Sequence, residues 1–359
     1  MRLILRVILA WLGGLVVLPV IAAPASNPPA RAAAASAPGG CSAPATPASE
    51  AQRKFHPGHY VSVGRAELPG GLAGVKSPGL TGVQMRYRWA ELEPQEGQYN
   101  FTLVARDLEA ATHAGLQLVA MIEDKSFNGE TPTPDYLQSK YTVRNGNQGY
   151  TAIRWDSYVN DRLKQLVAKL GAQFDCDPHF EGVAFQETSL GLDDDALGAA
   201  AYTPEKYRDA LISLLRSASS SLPTSRVFWY MNFLPRNQHY IDDIATAVVG
   251  TGVVMGGPDV LPDNQALNKR VYPLYEEFRG RLKLFCSMQH NSYRHRHGGG
   301  EGKGGGGNYW SMDDLYLFAR DKLHVNYLFW DYHPQRIPPD SHNWDDARQV
   351  IARYPTIGS

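Results

Sequence analysis

The chain contains a short apolar run that ends in an amide and a carboxylate, Gly182-Val183-Ala184-Phe185-Gln186-Glu187. A run of this length is typical of a strand that is buried on both faces, as in a parallel sheet. In closed parallel barrels, the residues that carry chemistry lie at the carboxyl ends of the strands. The run therefore predicts a buried strand that presents Glu187 at the rim of a barrel.

Seven more runs of this kind alternate with amphipathic helical stretches. The predicted strands are His59–Val63, Gly82–Arg88, Leu116–Ile122, Gly182–Gln186, Val227–Asn232, Gly252–Met255, Leu282–Met288 and Val325–Trp330. The predicted helices are Phe101–Ala114, Trp155–Leu170, Pro204–Ser219, Asp313–Lys322 and Trp344–Tyr354. Gly115 is a suitable C-cap for the first helix, and Thr203 is a suitable N-cap for the third. Strict alternation predicts an α/β fold, a (β/α)8 TIM barrel. A doubly wound open sheet is the alternative, but no Gly-x-Gly-x-x-Gly turn follows the first strand.

The amino-terminal region has the composition of a targeting segment followed by a linker. Residues 1–25 begin with a short basic stretch that contains Arg2 and Arg6, continue with an apolar stretch and end with small residues, which predicts a cleaved secretory signal peptide. An uncleaved anchor is the alternative, which Gly13, Gly14 and Pro19 disfavour. Residues 26–52 are rich in Ala, Pro, Ser and Gly and are predicted to be a disordered linker. The barrel is then expected over residues 53–359, in an exported protein that is periplasmic or secreted.

The charge balance bears on the kind of partner, and the cysteine content bears on disulfide formation. The 359 residues include 35 Lys and Arg against 36 Asp and Glu, for a net charge of −1. This balance gives no reason to expect a nucleic-acid partner, or a membrane contact beyond the signal segment. Cys176 and Cys286 are expected as buried free thiols near core strands, although an oxidising compartment would permit a disulfide between them with Cys41 left over.

Polar and aromatic side chains gather where the predicted strands end. They are Arg86, Arg88, Trp89, Glu123, Asp124, Lys125, Gln186, Glu187, Asn232, Asp259, Gln289, His290, Asn291, Tyr293, Trp330, Asp331, Tyr332 and His333. Because the carboxyl ends of parallel strands meet at one face of a barrel, these side chains are expected to converge there.

One segment carries a family resemblance. Trp89-Ala90-Glu91-Leu92-Glu93-Pro94, followed by Gly97-Gln98-Tyr99-Asn100-Phe101, resembles a segment of the (β/α)8 glycoside hydrolases that include β-galactosidases and cellulases. The resemblance implies that Glu187, at the end of the fourth strand, is the general acid/base, with Gln186 in place of the usual Asn. It further implies that Trp330 is a sugar platform and that Arg86 lies near the nucleophile, with Arg88 as the alternative for that role. Glu93 is expected to order its loop.

The resemblance fails at the position of the nucleophile. The family carries a glutamate at the end of the seventh strand, where this chain has Gln289, and an amide cannot attack an anomeric carbon. Three explanations remain open. Another rim carboxylate serves, the candidates being Asp259, Asp331, Glu123 and Asp124; or an acetamido group of the sugar attacks; or the barrel only binds glycan.

These residues predict a carbohydrate as the partner. Glu187 and Asp259 are the expected catalytic residues, and the expected substrate-binding residues are Arg86, Gln186, Asn232, Gln289, His290, Tyr293, Trp330 and Asp331. No cofactor is expected, and no metal, since His295 and His297 have no third ligand near them in sequence. The predicted function is an exported glycoside hydrolase for a β-linked oligo- or polysaccharide, with Glu187 as general acid/base. The alternative is a catalytically inactive barrel that binds an exported or cell-surface glycan.

Overall fold

The structure, a computed structural model, describes Cys41 and residues 49–64, 71–75, 77–298 and 307–357. The predicted signal peptide lies outside the described residues, as do most of the predicted linker and most of the glycine-rich loop 298–307. None of the helices within the described residues has the length and apolar character that crossing a membrane requires.

Eight parallel strands close into a barrel, and each strand pairs with its neighbours in chain order. They are Gly58–Val63, Leu80–Arg88, Gln117–Glu123, Phe180–Phe185, Arg226–Tyr230, Val253–Pro258, Lys283–Met288 and Tyr327–Asp331. The first strand pairs with both the second and the eighth, which completes the ring. The predicted (β/α)8 TIM barrel is confirmed, and each of the eight predicted strands overlaps an observed one. The apolar runs identified the strands because barrel strands are covered on both faces.

Helices surround the barrel, and a small hairpin lies between the third and fourth strands. The helices are Trp89–Leu92, Thr102–Ala114, Asp135–Tyr141, Ser157–Phe174, Asp194–Ala199, Pro204–Ser221, Tyr240–Ala247, Gln265–Arg270, Tyr272–Phe278, His290–Tyr293, Met312–Leu317 and Trp344–Arg353. Thr142–Arg144 and Tyr150–Ala152 form the antiparallel hairpin. Gly115 ends its helix at a φ of 69°, and Thr203 caps the amide of Lys206, as predicted. The helix predicted to end at Leu170 continues through Gly171 to Phe174.

Alternation along the strands divides the core into two apolar clusters. Inside the barrel lie Tyr60, Val119, Met121, Ala184, Phe228, Tyr230, Val254, Phe285, Tyr327 and Phe329. Side chains of opposite phase, such as Trp229 and Trp330, lie in the layer between strands and helices. Trp229 is buried, as expected for a core residue. The aromatic interior fills the barrel, so ligand space is confined to its two ends.

The quoted run needs its glycine because of close strand packing. A Cβ atom on Gly182 would overlap the carbonyl oxygen of Arg226 in the fifth strand. Its absence lets the fourth and fifth strands approach each other at this point.

The Trp89–Phe101 segment, which carries the family resemblance, has a structural role. Glu93 is buried, and its carboxylate accepts from the indole Nε1 of Trp89 and the amide of Gly97, each at 2.9 Å. Arg162 forms an ion pair with the same carboxylate. The prediction that Glu93 orders its loop is confirmed.

The expectation that Cys176 is a free thiol and that Cys41 is left unpaired is wrong. Cys41 and Cys176 form a disulfide with their Cα atoms 5.5 Å apart, and the amide of Cys41 donates to the carbonyl of Ala172. Cys286 is the buried free thiol. This pairing could not be predicted from the sequence, because the two cysteines are 135 residues apart in the chain.

Candidate active site

A cavity of about 170 Å³ opens at the carboxyl ends of the strands. Six of the ten predicted site residues line it: Arg86, Gln186, Glu187, Gln289, His290 and Asp331. Met121, Phe127, Tyr230 and Asn291 complete its wall. The convergence expected from the strand ends is therefore present. The cavity combines the carboxylates of Glu187 and Asp331 with amides, an arginine and aromatic rings, and Asp259 is not among its lining residues.

Glu187 projects into this cavity from the loop after the fourth strand, and both of its carboxylate oxygens accept hydrogen bonds. Lys125 Nζ lies 2.7 Å from Oε1, and Asn232 Nδ2 lies 2.6 Å from Oε2. The side chain of Lys125 is 2% exposed and that of Glu187 is 20% exposed. An ammonium and an amide therefore face the Glu187 carboxylate.

Lys125 is held in place by three groups. Its ammonium also donates to the carbonyl of Ser189 at 2.6 Å and lies 4.8 Å from the ring centroid of Phe127. Burial lowers the pKa of Lys125, and Glu187 acts in the opposite direction. The lysine was visible in sequence among the residues after the third strand, but its pairing with Glu187 required the three-dimensional structure.

Asn232 positions Glu187 rather than lining the cavity. Its Oδ1 accepts from the amides of Ser189 and Phe233, at 2.9 and 2.7 Å, which orients Nδ2 toward Glu187. The expected contact between Asn232 and substrate is replaced by this contact with a carboxylate that faces the cavity.

Gln186 supports the loop after the third strand and keeps one group for a ligand. Its Oε1 accepts from the amides of Asp124 and Lys125, at 3.0 and 2.7 Å. Among the described residues its amide nitrogen has no hydrogen-bond partner, and Gln186 lines the cavity. Asp124, one of the candidate carboxylates, is buried in an ion pair with Arg154 at 2.6 Å and does not face the cavity.

Asp259 is the carboxyl group with the most unusual surroundings. It follows the sixth strand at a φ of +71°, and within the described residues its buried Oδ1 has no hydrogen-bond partner. Burial raises the pKa of Asp259 to about 7, and the negative charges of Glu187 and Asp331 act in the same direction. A left-handed backbone is uncommon for aspartate and costs free energy, so the surrounding structure imposes this conformation.

Two more candidate carboxylates lie beside Arg86. Its Nη2 donates to Asp331 Oδ1 at 3.1 Å. Glu123 lines a second cavity of about 250 Å³ with Arg86, Arg88, Lys125, Ser126, Phe127, Asn128, Glu130 and Pro132. Burial raises the pKa of Glu123, and Arg86 opposes that shift. Arg86 and Phe127 line both cavities, which therefore adjoin, and the Phe127 side chain is 54% exposed.

His290 and His333 form a close pair after the seventh and eighth strands. Their ring centroids are 4.1 Å apart, and each Nε2 is buried with no hydrogen-bond partner among the described residues. Burial lowers the pKa of His290, and His333 lowers it further. Burial and the neighbouring ring therefore favour the neutral form of His290.

The structure corrects two predicted substrate contacts. Trp330 is fully buried on the outside of the barrel, where its Nε1 donates to His59 Nδ1 at 3.0 Å. Its neighbour Phe329 faces the interior, so alternation turns Trp330 toward the helices and the predicted sugar platform is wrong. Tyr293 is also buried, and its hydroxyl donates to the carbonyl of Asp331 at 2.8 Å, so it supports the rim from behind.

The two histidines considered as metal ligands have other partners. His295 Nε2 contacts the carboxylate of Asp263, and the His297 ring lies 4.1 Å from the Trp310 ring. Among the described residues there is no group of three or more His, Cys, Asp and Glu side chains arranged to hold a metal ion.

The comparisons with known proteins identify the architecture. No protein-family model and no curated protein sequence matches the chain. Solved structures do match. The catalytic domain of the β-amylase from Paenibacillus polymyxa aligns at a TM-score of 0.55 and 10% identity, over 84% of this chain and 100% of that one. GH5_18 from Streptomyces cattleya, solved in complex with GlcNAc, aligns at 0.56 and 11%, over 85% and 82%. A β-galactosidase from Bacillus circulans sp. alkalophilus aligns at 0.56 and 10%, over 82% and 55%.

The chain has the barrel fold of glycoside hydrolases. This agrees with the resemblance seen in the Trp89–Phe101 segment. Identities of this size establish the fold alone, so the chemistry has to be argued from the cavity.

Proposed function

We propose that this chain is an exported glycoside hydrolase that acts on a β-linked oligo- or polysaccharide. The observation that carries the proposal is that two carboxyl groups have unlike surroundings. An ammonium and an amide donate to Glu187, whereas the Oδ1 of Asp259 is buried and has no hydrogen-bond partner within the described residues. Glycoside hydrolysis needs one carboxyl group that donates a proton and one that acts as an anion. Carboxyl groups with opposed environments supply that difference.

The surroundings favour a definite division of roles. The ammonium of Lys125 and the amide of Asn232 both donate to Glu187, which suits an anion that acts as base or nucleophile. Asp259, with its pKa raised to about 7, suits the proton donor. The resemblance implied that Glu187 is the general acid/base, whereas this assignment makes Glu187 the base or nucleophile and Asp259 the proton donor. With these roles, the site does not need a glutamate at the position of Gln289.

The adjoining cavities suit a chain of sugar residues. Exposed Phe127 offers an apolar face to a pyranose ring, while Arg86 and the amide nitrogen of Gln186 offer hydrogen-bond donors to hydroxyl groups. A β-linked substrate is supported by the resemblance of the Trp89–Phe101 segment to β-galactosidases and cellulases.

Export is supported by the cysteines. A disulfide between Cys41 and Cys176 is typical of proteins in an oxidising compartment, and residues 1–25 have the composition of a signal peptide.

A panel of aryl β-glycosides and β-linked oligosaccharides tests the proposal. Wild-type protein is expected to release product, and Glu187→Gln or Asp259→Asn is expected to reduce kcat by about 10²-fold or more. Glu109→Gln, on an exposed helix face, is the matched control and should retain full activity. Full activity in Glu187→Gln or in Asp259→Asn would remove that carboxyl group from the mechanism.

Glycan binding without hydrolysis is the second candidate. The observation that favours it is Gln289, a neutral amide on the cavity wall where related barrels carry the attacking glutamate. The same panel separates the two functions. Saturable glycan binding without product release from wild-type protein would establish the binding function.

A further inference from the structure

A cavity of about 580 Å³ lies at the opposite end of the barrel, where the strands begin. It is larger than either cavity at the mouth. The connections that enter the sixth, seventh and eighth strands form it. Its charged lining residues include Glu50, Arg279, Arg281, Lys283, Arg320 and Asp321. A volume of a few hundred Å³ is typical of sites for small ligands.

The carboxylates of this cavity are already neutralised. Glu50 accepts from Arg226 Nη1 at 2.5 Å, and Asp321 accepts from Arg320 Nε at 2.6 Å. Both pairs join residues whose charges cancel locally. The acidic groups in the lining therefore leave its other cations uncompensated.

Arg281 and Lys283 carry the excess positive charge. Among the described residues, neither has a carboxylate within ion-pair distance. The guanidinium of Arg281 lies 4.6 Å from the ring centroid of Phe278, and the ammonium of Lys283 lies 4.4 Å from that of Phe55. Aromatic rings hold cations in position through their faces without consuming N–H donors. The donors of both side chains thus remain for a ligand.

Neighbouring groups extend the positive wall. Arg279 reaches only 4.0 Å from its nearest carboxylate, on Glu276, and that carboxylate also contacts His324 at 2.9 Å. Gly250 and Gly280 adopt positive φ and have open space where a side chain would begin. A ligand can therefore approach the backbone between the cations.

We propose that this cavity binds an anionic ligand of monosaccharide to disaccharide size, through a carboxylate or phosphate group held by Arg281 and Lys283. Arginine matches the planar geometry of both anions, and lysine adds a compact positive charge. This site is separate from the mouth, so it does not depend on hydrolysis by Glu187 and Asp259. In an exported sugar-active barrel, it would hold the chain to an acidic polymer or to a phosphorylated sugar.

Calorimetric titration at low salt tests the site with three probes: inorganic phosphate, digalacturonate and neutral lactose. Wild-type protein is expected to bind at least one anionic probe saturably. Arg281→Gln/Lys283→Gln is expected to weaken that binding by about tenfold or more, since hydrogen bonds to charged groups are lost. The control Arg144→Gln/Lys169→Gln removes the same charge from exposed positions and should bind as wild type does.

The outcomes distinguish ligand source and mechanism. Tighter binding of digalacturonate than of phosphate identifies a carboxylated sugar, and the reverse order identifies a phosphorylated ligand. Absence of saturable anion binding by wild-type protein, or equal loss in the two double variants, overturns the proposal. Glu187→Gln should bind the anionic probe unchanged, so failure of this site and failure of the hydrolase proposal are separable.

Discussion

Lys125 Nζ lies 2.7 Å from Glu187 Oε1, and this contact joins the loops that follow the third and fourth strands. The lysine is almost completely buried, so its charge is compensated mainly at this contact. Removing either partner of a buried pair leaves the other charge uncompensated. The relationship makes Glu187 a positioned anion, and the proposed chemistry depends on it.

Lys125→Met should therefore impair catalysis through Glu187. Without the ammonium, the Glu187 carboxylate loses one of its two hydrogen-bond donors and is less firmly positioned. We expect kcat to fall by about tenfold or more. Steady-state kinetics with an aryl glycoside measure this effect, with Lys169→Met as the exposed control. A kcat equal to that of wild type would contradict the role given to Lys125.

Asp259 should make stability fall as pH rises. Its pKa is raised from an ordinary value of 3.8 to about 7, so the folded state binds more protons than the unfolded state between those values. Its stabilising contribution is complete below about pH 4 and is lost as pH rises through 7, a loss of about a few kcal/mol. Asp259→Asn removes the charge and sacrifices no hydrogen bond of the buried Oδ1.

Thermal unfolding at pH 4.5 and pH 8 measures this effect. The Asp259→Asn variant should melt above wild type at pH 8, with the difference shrinking toward pH 4.5. Glu109→Gln should follow wild type at both values. A variant that melts below wild type at pH 8 would show that the carboxylate stabilises the fold and would contradict the burial argument.

Phe127→Ala should weaken substrate binding without disturbing the fold. The ring is 54% exposed and lines both mouth cavities, so its removal takes away a stacking surface but little buried area. We expect KM to rise about three- to tenfold, from the loss of an aromatic contact worth about 1 kcal/mol. Ile337→Ala, at a residue 50% exposed, is the control. A fall in kcat at constant KM would assign Phe127 a different role.

Loss of the Cys41–Cys176 disulfide should lower stability substantially. The bond closes a loop with a sequence separation of 135, and cross-links over long loops contribute about 2–4 kcal/mol. Denaturant titration of Cys41→Ser measures the loss, and a reductant should have no further effect on that variant. Thiol titration in denaturant should find one free thiol before reduction and three after it. Three thiols before reduction would exclude the bond.

The barrel could be predicted because its evidence is local. Apolar runs such as Gly182–Phe185 must be buried on both faces, and the alternation of eight of them with helices permits few topologies. The position of Glu187 at the rim follows from the same rule, as does the convergence of Arg86, Gln289 and Asp331 on one cavity.

The details of the site depend on contacts between residues that are distant in the sequence. Trp330 was predicted on the wrong side of the barrel wall. Alternate side chains of a strand face opposite sides, and the register of the strand with its neighbours decides which set faces inward. Sequence spacing does not state that register. Asn232 was assigned to substrate because its bond to Glu187 spans two strand ends.

By itself, the sequence determined the fold class, the strands, the loop-ordering role of Glu93 and the end of the barrel at which chemistry gathers, because burial and periodicity act on neighbouring residues. Only the tertiary structure decided that Lys125 faces Glu187, that the Oδ1 of Asp259 is buried with no partner in the described part of the chain, and that Cys41 reaches Cys176. The charge state of a carboxyl group depends on groups that folding brings within a few ångströms, and their distance along the chain carries no record of that approach.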